Sequence, residues 1–240
     1  DLVCAFIGDF KQVDRSVFEQ HLFEREGIQV VHHLFSVVSS LDSMVLGEQQ
    51  IIGQTRNAFK NSVQAGRCSM ILERLFRQAL SCGKRVRKET GISESHVSLS
   101  TVAIDVARSE FDTFDDKQVL VVGSGEMSEL SARYLRDLGV HSFVVISRTF
   151  SHARALAEHL GGSAEPYEKL PDLLKTADIV ISSTAAPHCI ILPDMLEGCK
   201  NHLLILDIAV PRDVDPACAT MSGVTLYDLD DLGQISERNQ

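Results

Sequence analysis

Residues 119–128 read Val-Leu-Val-Val-Gly-Ser-Gly-Glu-Met-Ser, and they predict a strand, a glycine turn and a helix in succession. The four consecutive apolar residues, three of them β-branched, predict a strand covered on both faces, as in a parallel sheet. Gly123 can adopt the positive φ of a tight turn, and Gly125 has no Cβ that would keep a phosphate away from the backbone. The helix predicted at residues 126–138 points its free N–H groups and its positive dipole end at that turn. The stretch therefore predicts a site for the phosphates of a nucleotide.

The nucleotide-binding pattern Gly-x-Gly-x-x-Gly is incomplete, because Ser128 occupies the third glycine position. A plain strand-to-helix turn is therefore the alternative interpretation. The residues around it favour the nucleotide site, since strands and helices alternate in the order of a doubly wound parallel sheet. The predicted strands span residues 118–122, 142–147, 179–182 and 203–208, and the predicted helices span residues 126–138 and 151–160.

The first 111 residues show a different pattern, with apolar side chains at helical spacing. They predict a helical part that precedes the sheet, with a last helix that connects two domains. We place the domains at residues 1–95 and 96–225, followed by a short segment at 226–240. The predicted helices span residues 14–25, 28 to a stop before Gly47, 48–64, 69–88 and 98–111.

The composition favours a soluble, intracellular protein. No run of about 18 apolar residues occurs, and no basic region of a signal peptide precedes the first apolar residues. Six cysteines are scattered without metal-ligand spacing to the nine histidines, so we expect reduced thiols and no metal site.

The charge is unevenly distributed along the chain. A formal net charge of −10 argues against a protein that coats nucleic acid by bulk attraction. Residues 67–89 differ, because they hold seven Lys and Arg side chains and only two Glu, which gives +5 locally and −15 elsewhere. Such a helix could hold a polyanion, or it could be a solvated face that pairs with acidic neighbours.

The second predicted strand ends in Ser147-Arg148-Thr149, where a NAD-preferring fold normally has an acidic residue. A guanidinium group and two hydroxyls suit the 2′-phosphate of NADP(H), which a carboxylate would repel. We therefore predict NADPH as the cofactor, and the alternative is that Arg148 is a surface residue beside the turn. The later strand ends, residues 182–187 and 207–212, should face the cofactor too.

Residues 33–56 include Leu-Asp-Ser-Met-Val-Leu-Gly-Glu-Gln-Gln at 41–50, and they closely resemble the signature of glutamyl-tRNA reductases. These NADPH enzymes open the C5 route to tetrapyrroles such as porphyrins. The resemblance implies an α/β protein: the helical C-terminal part of an N-terminal catalytic domain, then a Rossmann-like doubly wound parallel sheet that binds NADP. It continues in order through residues 83–92, 123–127, 147–149, 177–184 and 207–213.

The resemblance also implies site residues. His33 is expected to be important for activity, although from the residues alone it reads as a partly buried structural histidine. The ammonium group of a glutamyl substrate can pair with a carboxylate of the protein, and the carboxylate of the substrate can accept hydrogen bonds from hydroxyl and amide groups. Without the resemblance, Gln50 and Gln54 read as a solvated helix face. The residues implied around the glutamyl group are Ser43, Glu48, Gln49, Gln50 and Gln54, and those implied at the cofactor are Gly123, Ser124, Gly125, Glu126, Met127, Ser128, Ser147, Arg148, Thr149 and Thr184.

One departure from the family concerns the nucleophile. In glutamyl-tRNA reductases it is a cysteine in a Ser/Thr-Cys-Asn-Arg motif upstream of the histidine, and this sequence has no such motif. Cys4 is the only cysteine before His33, and its neighbours do not match. We therefore expect residues 1–95 to be an N-terminally incomplete catalytic, glutamate-recognition domain and 96–225 the NADP-binding domain. Residues 226–240 would begin the linker helix to a dimerisation domain.

The function implied by the resemblance is the reduction of glutamyl-tRNA to glutamate-1-semialdehyde through a cysteine thioester. This is the first step of 5-aminolevulinate synthesis by the C5 route. It implies glutamyl-tRNA as substrate, a homodimer, no membrane and a place in the cytoplasm or plastid stroma. Two alternatives remain: an NADP-dependent dehydrogenase of the shikimate dehydrogenase kind, and a non-catalytic NADP-binding fragment.

Overall fold

The structure, a computed structural model, describes residues 2–43, 49–90, 99–200 and 202–238. The chain forms two compact units. The first, called the helical unit, consists of Asp1–Asp42 and Ile51–Val86. The second, called the sheet unit, consists of Ser43–Gln50 and Arg87–Gln240.

Two helices of the helical unit end earlier than the sequence predicts. The helix predicted at 14–25 is a single turn followed by a 3-10 turn at Glu19–His21, and the helix that begins at Ile28 ends at Val38 instead of before Gly47. The first helix was not predicted, whereas the last two agree with the prediction to within two residues. The helices are α1 Leu2–Lys11, α2 Arg15–Phe18, α3 Ile28–Val38, α4 Gln49–Gln64 and α5 Met70–Glu89.

A Schellman motif explains why α3 ends where it does. Leu41 N–H donates to the carbonyl of Ser36, and Ser40 N–H donates to that of Val37, which are the two hydrogen bonds of this motif. Ser40 has the positive φ of 56° that the motif requires. The end of the helix could not be foreseen, because a serine takes the position that glycine usually fills.

The helical unit has a small core. Val38 of α3, Ile52 of α4 and Ala79 of α5 are buried together. Gly83 allows α5 to approach the end of α3, since a Cβ at this residue would lie 2.6 Å from the carbonyl oxygen of Val38.

The sheet unit contains six parallel strands in the order β3-β2-β1-β4-β5-β6. This is the strand order of a doubly wound Rossmann-like fold, so the predicted fold class is confirmed. The strands are β1 Gln118–Val122, β2 Ser142–Ile146, β3 Ser163–Ala164, β4 Ile179–Ser182, β5 Leu203–Asp207 and β6 Val224–Tyr227, and the helices are α6 Leu99–Glu110, α7 Glu126–Asp137, α8 Phe150–Leu160, α9 Leu170–Leu174 and α10 Leu229–Arg238.

Strand β1 shows why its sequence is continuously apolar. Val119 and Val121 face one core, and Leu120 and Val122 face the other. Because both faces of the sheet are covered, no polar alternation appears along the strand.

The C-terminal end of the sheet unit differs from the expected boundary at residue 225. Strand β6 continues to Tyr227 and pairs with β5, and α10 begins only at Leu229. Leu232 of α10 is completely buried in the core that also contains residues of α6. Residues 226–238 therefore pack as part of the sheet unit.

Among the described residues, no helix is long and apolar enough to cross a membrane.

Candidate functional site

A cleft of about 640 Å³ opens at the carboxyl ends of β1, β2 and β4. The strand order reverses between β1 and β4, and ligands of open α/β sheets bind at this switch point. The lining residues are Gly123, Ser124, Gly125, Ser147, Arg148, Thr149, His152, Tyr167, Ser183, Thr184, Ala185, Ala186, Pro187, His188 and Ile190.

The glycine turn forms one wall of the cleft. Gly123 has φ +105°, and a Cβ there would lie 2.3 Å from the carbonyl oxygen of Ser183, so only glycine fits. Gly125 precedes α7 and is exposed, and a Cβ there would meet no atom within 4 Å. The fold itself thus requires Gly123, whereas the space above Gly125 is open to a phosphate at the helix N-terminus.

Three of the implied cofactor residues do not line the cleft. Ser128 is completely buried on the inner side of α7, and its hydroxyl has no hydrogen-bond partner within the described part of the chain. Met127 packs against the core of the sheet unit, and Glu126 is exposed. These residues can offer a ligand the backbone N–H groups of the first helical turn.

The opposite wall comes from the end of β2. Ser124 Oγ donates to Ser147 Oγ over 3.2 Å, and Thr149 N–H donates to the same oxygen over 3.3 Å. Ser147 therefore joins the two turns that follow β1 and β2. Arg148 is exposed, and it forms no ion pair with any described residue.

The charge of the lining suits an anion. Arg148 and two histidines lie in the cleft, and no acidic side chain is among the described residues that line it. His152 and Tyr167 were not foreseen, although His152 lies four residues after Arg148, in the first turn of α8. Burial raises the pKa of the Tyr167 hydroxyl, so it remains a protonated hydrogen-bond donor.

A buried carboxylate holds the third wall. Asp213 is completely buried, and its carboxylate accepts hydrogen bonds from Ser182 Oγ at 2.7 Å and from Thr184 N–H at 2.8 Å. Thr184 Oγ1 donates to the same carboxylate. The cleft-lining Thr184 is thus fixed through both its backbone and its side chain.

Asp207, at the end of β5, supports this arrangement. Its carboxylate accepts hydrogen bonds from the N–H groups of Ala209 at 3.1 Å, Asp213 at 3.0 Å and Val214 at 2.9 Å. Burial raises the pKa of Asp207 to about 6, although these hydrogen bonds act in the opposite direction. The loop that carries Asp213 is therefore folded around a second buried carboxyl group.

In the helical unit, His33 has a carboxylate partner that the sequence did not reveal. Its Nδ1 lies 3.0 Å from Asp42 Oδ2, and its ring meets Phe23 edge-on with centroids 5.2 Å apart. The imidazole is partly buried, with 34% of the side chain exposed. A carboxylate at one ring nitrogen orients the imidazole and leaves the other nitrogen for a reacting group.

The structure describes only some of the residues that the family resemblance implies for glutamate binding. Ser43 is half-buried and directly follows Asp42, and Gln54 is exposed on α4. Gln49 and Gln50 form the first turn of α4, and Glu48 lies outside the described residues. Within the described ranges, no group of three or more His, Cys, Asp and Glu residues could hold a metal ion.

Two family models match separate parts of the chain. The model described as glutamyl-tRNAGlu reductase, N-terminal domain, matches residues 1–90. The model described as shikimate / quinate 5-dehydrogenase matches residues 105–235, which include the whole sheet. The second match covers the strands of the sheet unit, and the first covers the helices α1 to α5.

Curated relatives match across both parts. The glutamyl-tRNA reductase of Trichlorobacter lovleyi is 43% identical over 239 residues, which cover 98% of this chain and 55% of the relative. That of Carboxydothermus hydrogenoformans is 40% identical over 242 residues, which cover 99% of this chain and 54% of the relative. The chain belongs to the glutamyl-tRNA reductase family.

A solved glutamyl-tRNA reductase, that from Methanopyrus kandleri, is also similar to this chain. It has a TM-score of 0.57 and 40% identity, covering 90% of this chain and 55% of that chain. The chain thus spans about half the length of the glutamyl-tRNA reductases that it matches. The family inferred from residues 33–56 is therefore confirmed. The sheet unit has an NAD(P)-binding Rossmann-like fold.

Proposed function

We propose that this chain carries the NADPH site and the glutamate-recognition segment of an enzyme that reduces glutamyl-tRNA to glutamate-1-semialdehyde. The observation that carries the proposal is the cleft in which Arg148 faces the glycine turn of Gly123 and Gly125. The relatives that match both units are named glutamyl-tRNA reductases, which supports the choice of substrate.

NADPH is proposed over NADH because of the charge at the end of β2. Arg148 supplies a planar guanidinium group, and Ser147 and Thr149 supply hydroxyls beside it. His152 adds a fourth group that can donate to a phosphate oxygen. The glycine turn and the first turn of α7 would hold the pyrophosphate. The bound cofactor would supply the hydride.

The remaining chemistry is that of acyl transfer before reduction. A thiolate attacks the ester carbonyl carbon of glutamyl-tRNA, and the tRNA leaves with its ribose oxygen and a proton. Hydride from a bound cofactor would then reduce the thioester carbon, and departure of the thiolate would give the aldehyde. A thioester accepts hydride far more readily than a carboxylate, which explains the covalent step. No described residue is assigned as this nucleophile.

The residues proposed for recognition of the glutamyl group are His33, Ser43, Glu48, Gln49, Gln50 and Gln54. The Asp42 carboxylate would keep the His33 ring oriented so that it can position or protonate a group at the acyl carbon. Glu48 would pair with the substrate ammonium, and Gln49, Gln50 and Gln54 would donate to its carboxylate.

The organisation of the complete enzyme follows from the same proposal. Residues 1–95 would form the end of the catalytic domain, and the NADP-binding domain would extend from residue 96 through β6 to Tyr227 rather than end at 225. The helix α10, which begins at Leu229, would lead to a homodimerisation domain. The proposed location is the cytoplasm or the plastid stroma.

The experiment supplies the thioester directly, so that no nucleophile is needed. The chain is mixed with NADPH and a small glutamyl thioester, and the absorbance of NADPH is followed. We expect oxidation of NADPH with the glutamyl thioester and none with free keto acids or 3-dehydroshikimate. Reduction of 3-dehydroshikimate instead would show a dehydrogenase of the shikimate dehydrogenase kind. NADPH binding without any reduction would show a non-catalytic fragment.

A further inference from the structure

A groove of about 580 Å³ lies between α4 and α5, entirely within the helical unit. Its floor is apolar, and its sides carry cationic and polar groups. The floor consists of Phe59, Val63 and Leu80, and the sides consist of Arg56, Lys60 and Gln64 on α4 and Arg77, Ser81 and Lys84 on α5.

The side residues form two rows because of helical periodicity. On α4 they recur every four residues, and on α5 they recur after four and then three residues. Each row therefore stays on one helix face, and successive members lie about 4.5–6 Å apart along the axis. The groove is thus lined along its length by donors on both sides.

Most of the positive charge in the groove is uncompensated. Arg56, Lys60 and Lys84 are exposed, and none forms an ion pair with the part of the chain that the structure describes. Only Arg77 is paired, through Nη2 and Glu73 Oε1 at 2.6 Å. Residues 51–90 hold nine Lys and Arg and two Glu, a formal charge of +7, whereas all other residues together carry −17.

The floor adds an aromatic surface. Phe59 is half-buried and stacks on Phe76 with ring centroids 5.6 Å apart and planes 6° apart. The guanidinium of Arg77 lies 5.9 Å from the Phe59 centroid. Positive groups along a groove with an aromatic floor are typical of sites for single-stranded nucleic acid, because the cations contact phosphates and the ring stacks on a base.

We propose that the α4/α5 groove binds a single-stranded portion of the tRNA in the substrate. The proposal rests on the proposed function, which supplies the tRNA. An acidic peptide would satisfy the cations but offers no base that could stack on the exposed part of Phe59. The three uncompensated cations, rather than the whole basic segment 67–89, are the contacts that we infer.

The test is the binding of unacylated tRNAGlu by the chain at several salt concentrations. The groove variant is Arg56→Gln/Lys60→Gln/Lys84→Gln, and the matched control is Arg67→Gln/Arg74→Gln/Lys88→Gln, which removes three exposed cations outside the groove. We expect the groove variant to bind tRNA at least about tenfold more weakly than the unaltered chain. The plot of log K against log salt concentration should also become less steep, with the magnitude of its slope smaller by about 2. The control should stay within about threefold of the unaltered chain.

Three results would overturn the proposal. The groove variant could bind tRNA as well as the unaltered chain does, or the control could lose as much affinity, which would indicate bulk attraction. A groove variant that loses affinity for polyglutamate but not for tRNA would make an acidic protein the occupant. Continued reduction of the glutamyl thioester in any of these cases would leave the proposed function standing. An unaltered chain that neither binds tRNA nor reduces the thioester would overturn both.

Discussion

Thr184 donates its backbone N–H to the buried carboxylate of Asp213 over 2.8 Å, so a residue that lines the cleft is held by one that has no exposed surface. Ser182 Oγ donates to the same carboxylate at 2.7 Å. The loop after β4 is therefore positioned by the loop after β5. This wall of the cofactor cleft depends on a carboxylate buried behind it.

The first prediction concerns this positioning. Asp213→Asn replaces one acceptor oxygen by an NH₂ group and leaves a buried donor unsatisfied, which costs about 1–3 kcal/mol. We expect the Kd for NADPH to rise about tenfold, because Thr184 is no longer fixed. Fluorescence titration with NADPH measures it, with the exposed Asp194→Asn as control. An unchanged Kd together with a lower Tm would reduce Asp213 to a purely structural role.

The second prediction concerns pH. The pKa of Asp207 is raised to about 6, so the folded state favours the neutral carboxyl group, and its ionisation opposes folding. The stability that Asp207 contributes is fully present below its unfolded pKa of about 4 and is lost as pH rises through about 6. The free energy of unfolding of the unaltered chain minus that of Asp207→Asn should fall by about 3 kcal/mol between these limits. Urea unfolding at several pH values measures it, and a difference that rises with pH would contradict the account.

The third prediction separates the two glycines of the turn. Gly123→Ala should destabilise the fold by about 2 kcal/mol or more, because it combines a positive φ with a contact of 2.3 Å to Ser183 O. Gly125→Ala should fold normally, since its Cβ meets no atom within 4 Å, but should weaken NADPH binding. Thermal unfolding and cofactor titration of both variants test this. Equal stability of the two variants would argue against the turn geometry.

The fourth prediction concerns His33. Asp42→Asn should lower the rate of glutamyl thioester reduction about tenfold, because the imidazole loses the carboxylate that orients it. His33→Ala should lower the rate at least as much, and both variants should keep their affinity for NADPH. Since 59% of the Asp42 side chain is exposed, its replacement should barely change Tm. If neither replacement lowered the rate of glutamyl thioester reduction, the role of His33 would be structural only.

The parts of the fold that could be predicted are those whose signal is local. Strands β1, β4 and β5 are buried on both faces, so their apolar runs mark them clearly. The edge strands gave no such signal, because β3 has only two residues and most of β6 is half-buried.

The candidate site divides in the same way. The glycine turn and Arg148 each follow directly from a strand end, so sequence reasoning could find them. The Asp213–Thr184 pair joins residues that are 29 positions apart in the sequence, and the His33–Asp42 pair joins residues that are nine positions apart. Both pairs depend on tertiary contacts, which no local sequence pattern predicts. Tyr167 enters the cleft from a 3-10 turn after β3, which was itself not predicted.

The affinity of the chain for NADPH and for NADH, before and after Arg148→Asp, shows whether the cleft recognises the 2′-phosphate through Arg148. We expect the unaltered chain to prefer NADPH and the variant to lose about two orders of magnitude in NADPH affinity, because a guanidinium–phosphate contact becomes a repulsion. NADH affinity should stay within about threefold. Arg154→Asp on α8, outside the cleft, is the matched control. Equal losses for both cofactors, or a preference of the unaltered chain for NADH, would contradict the account.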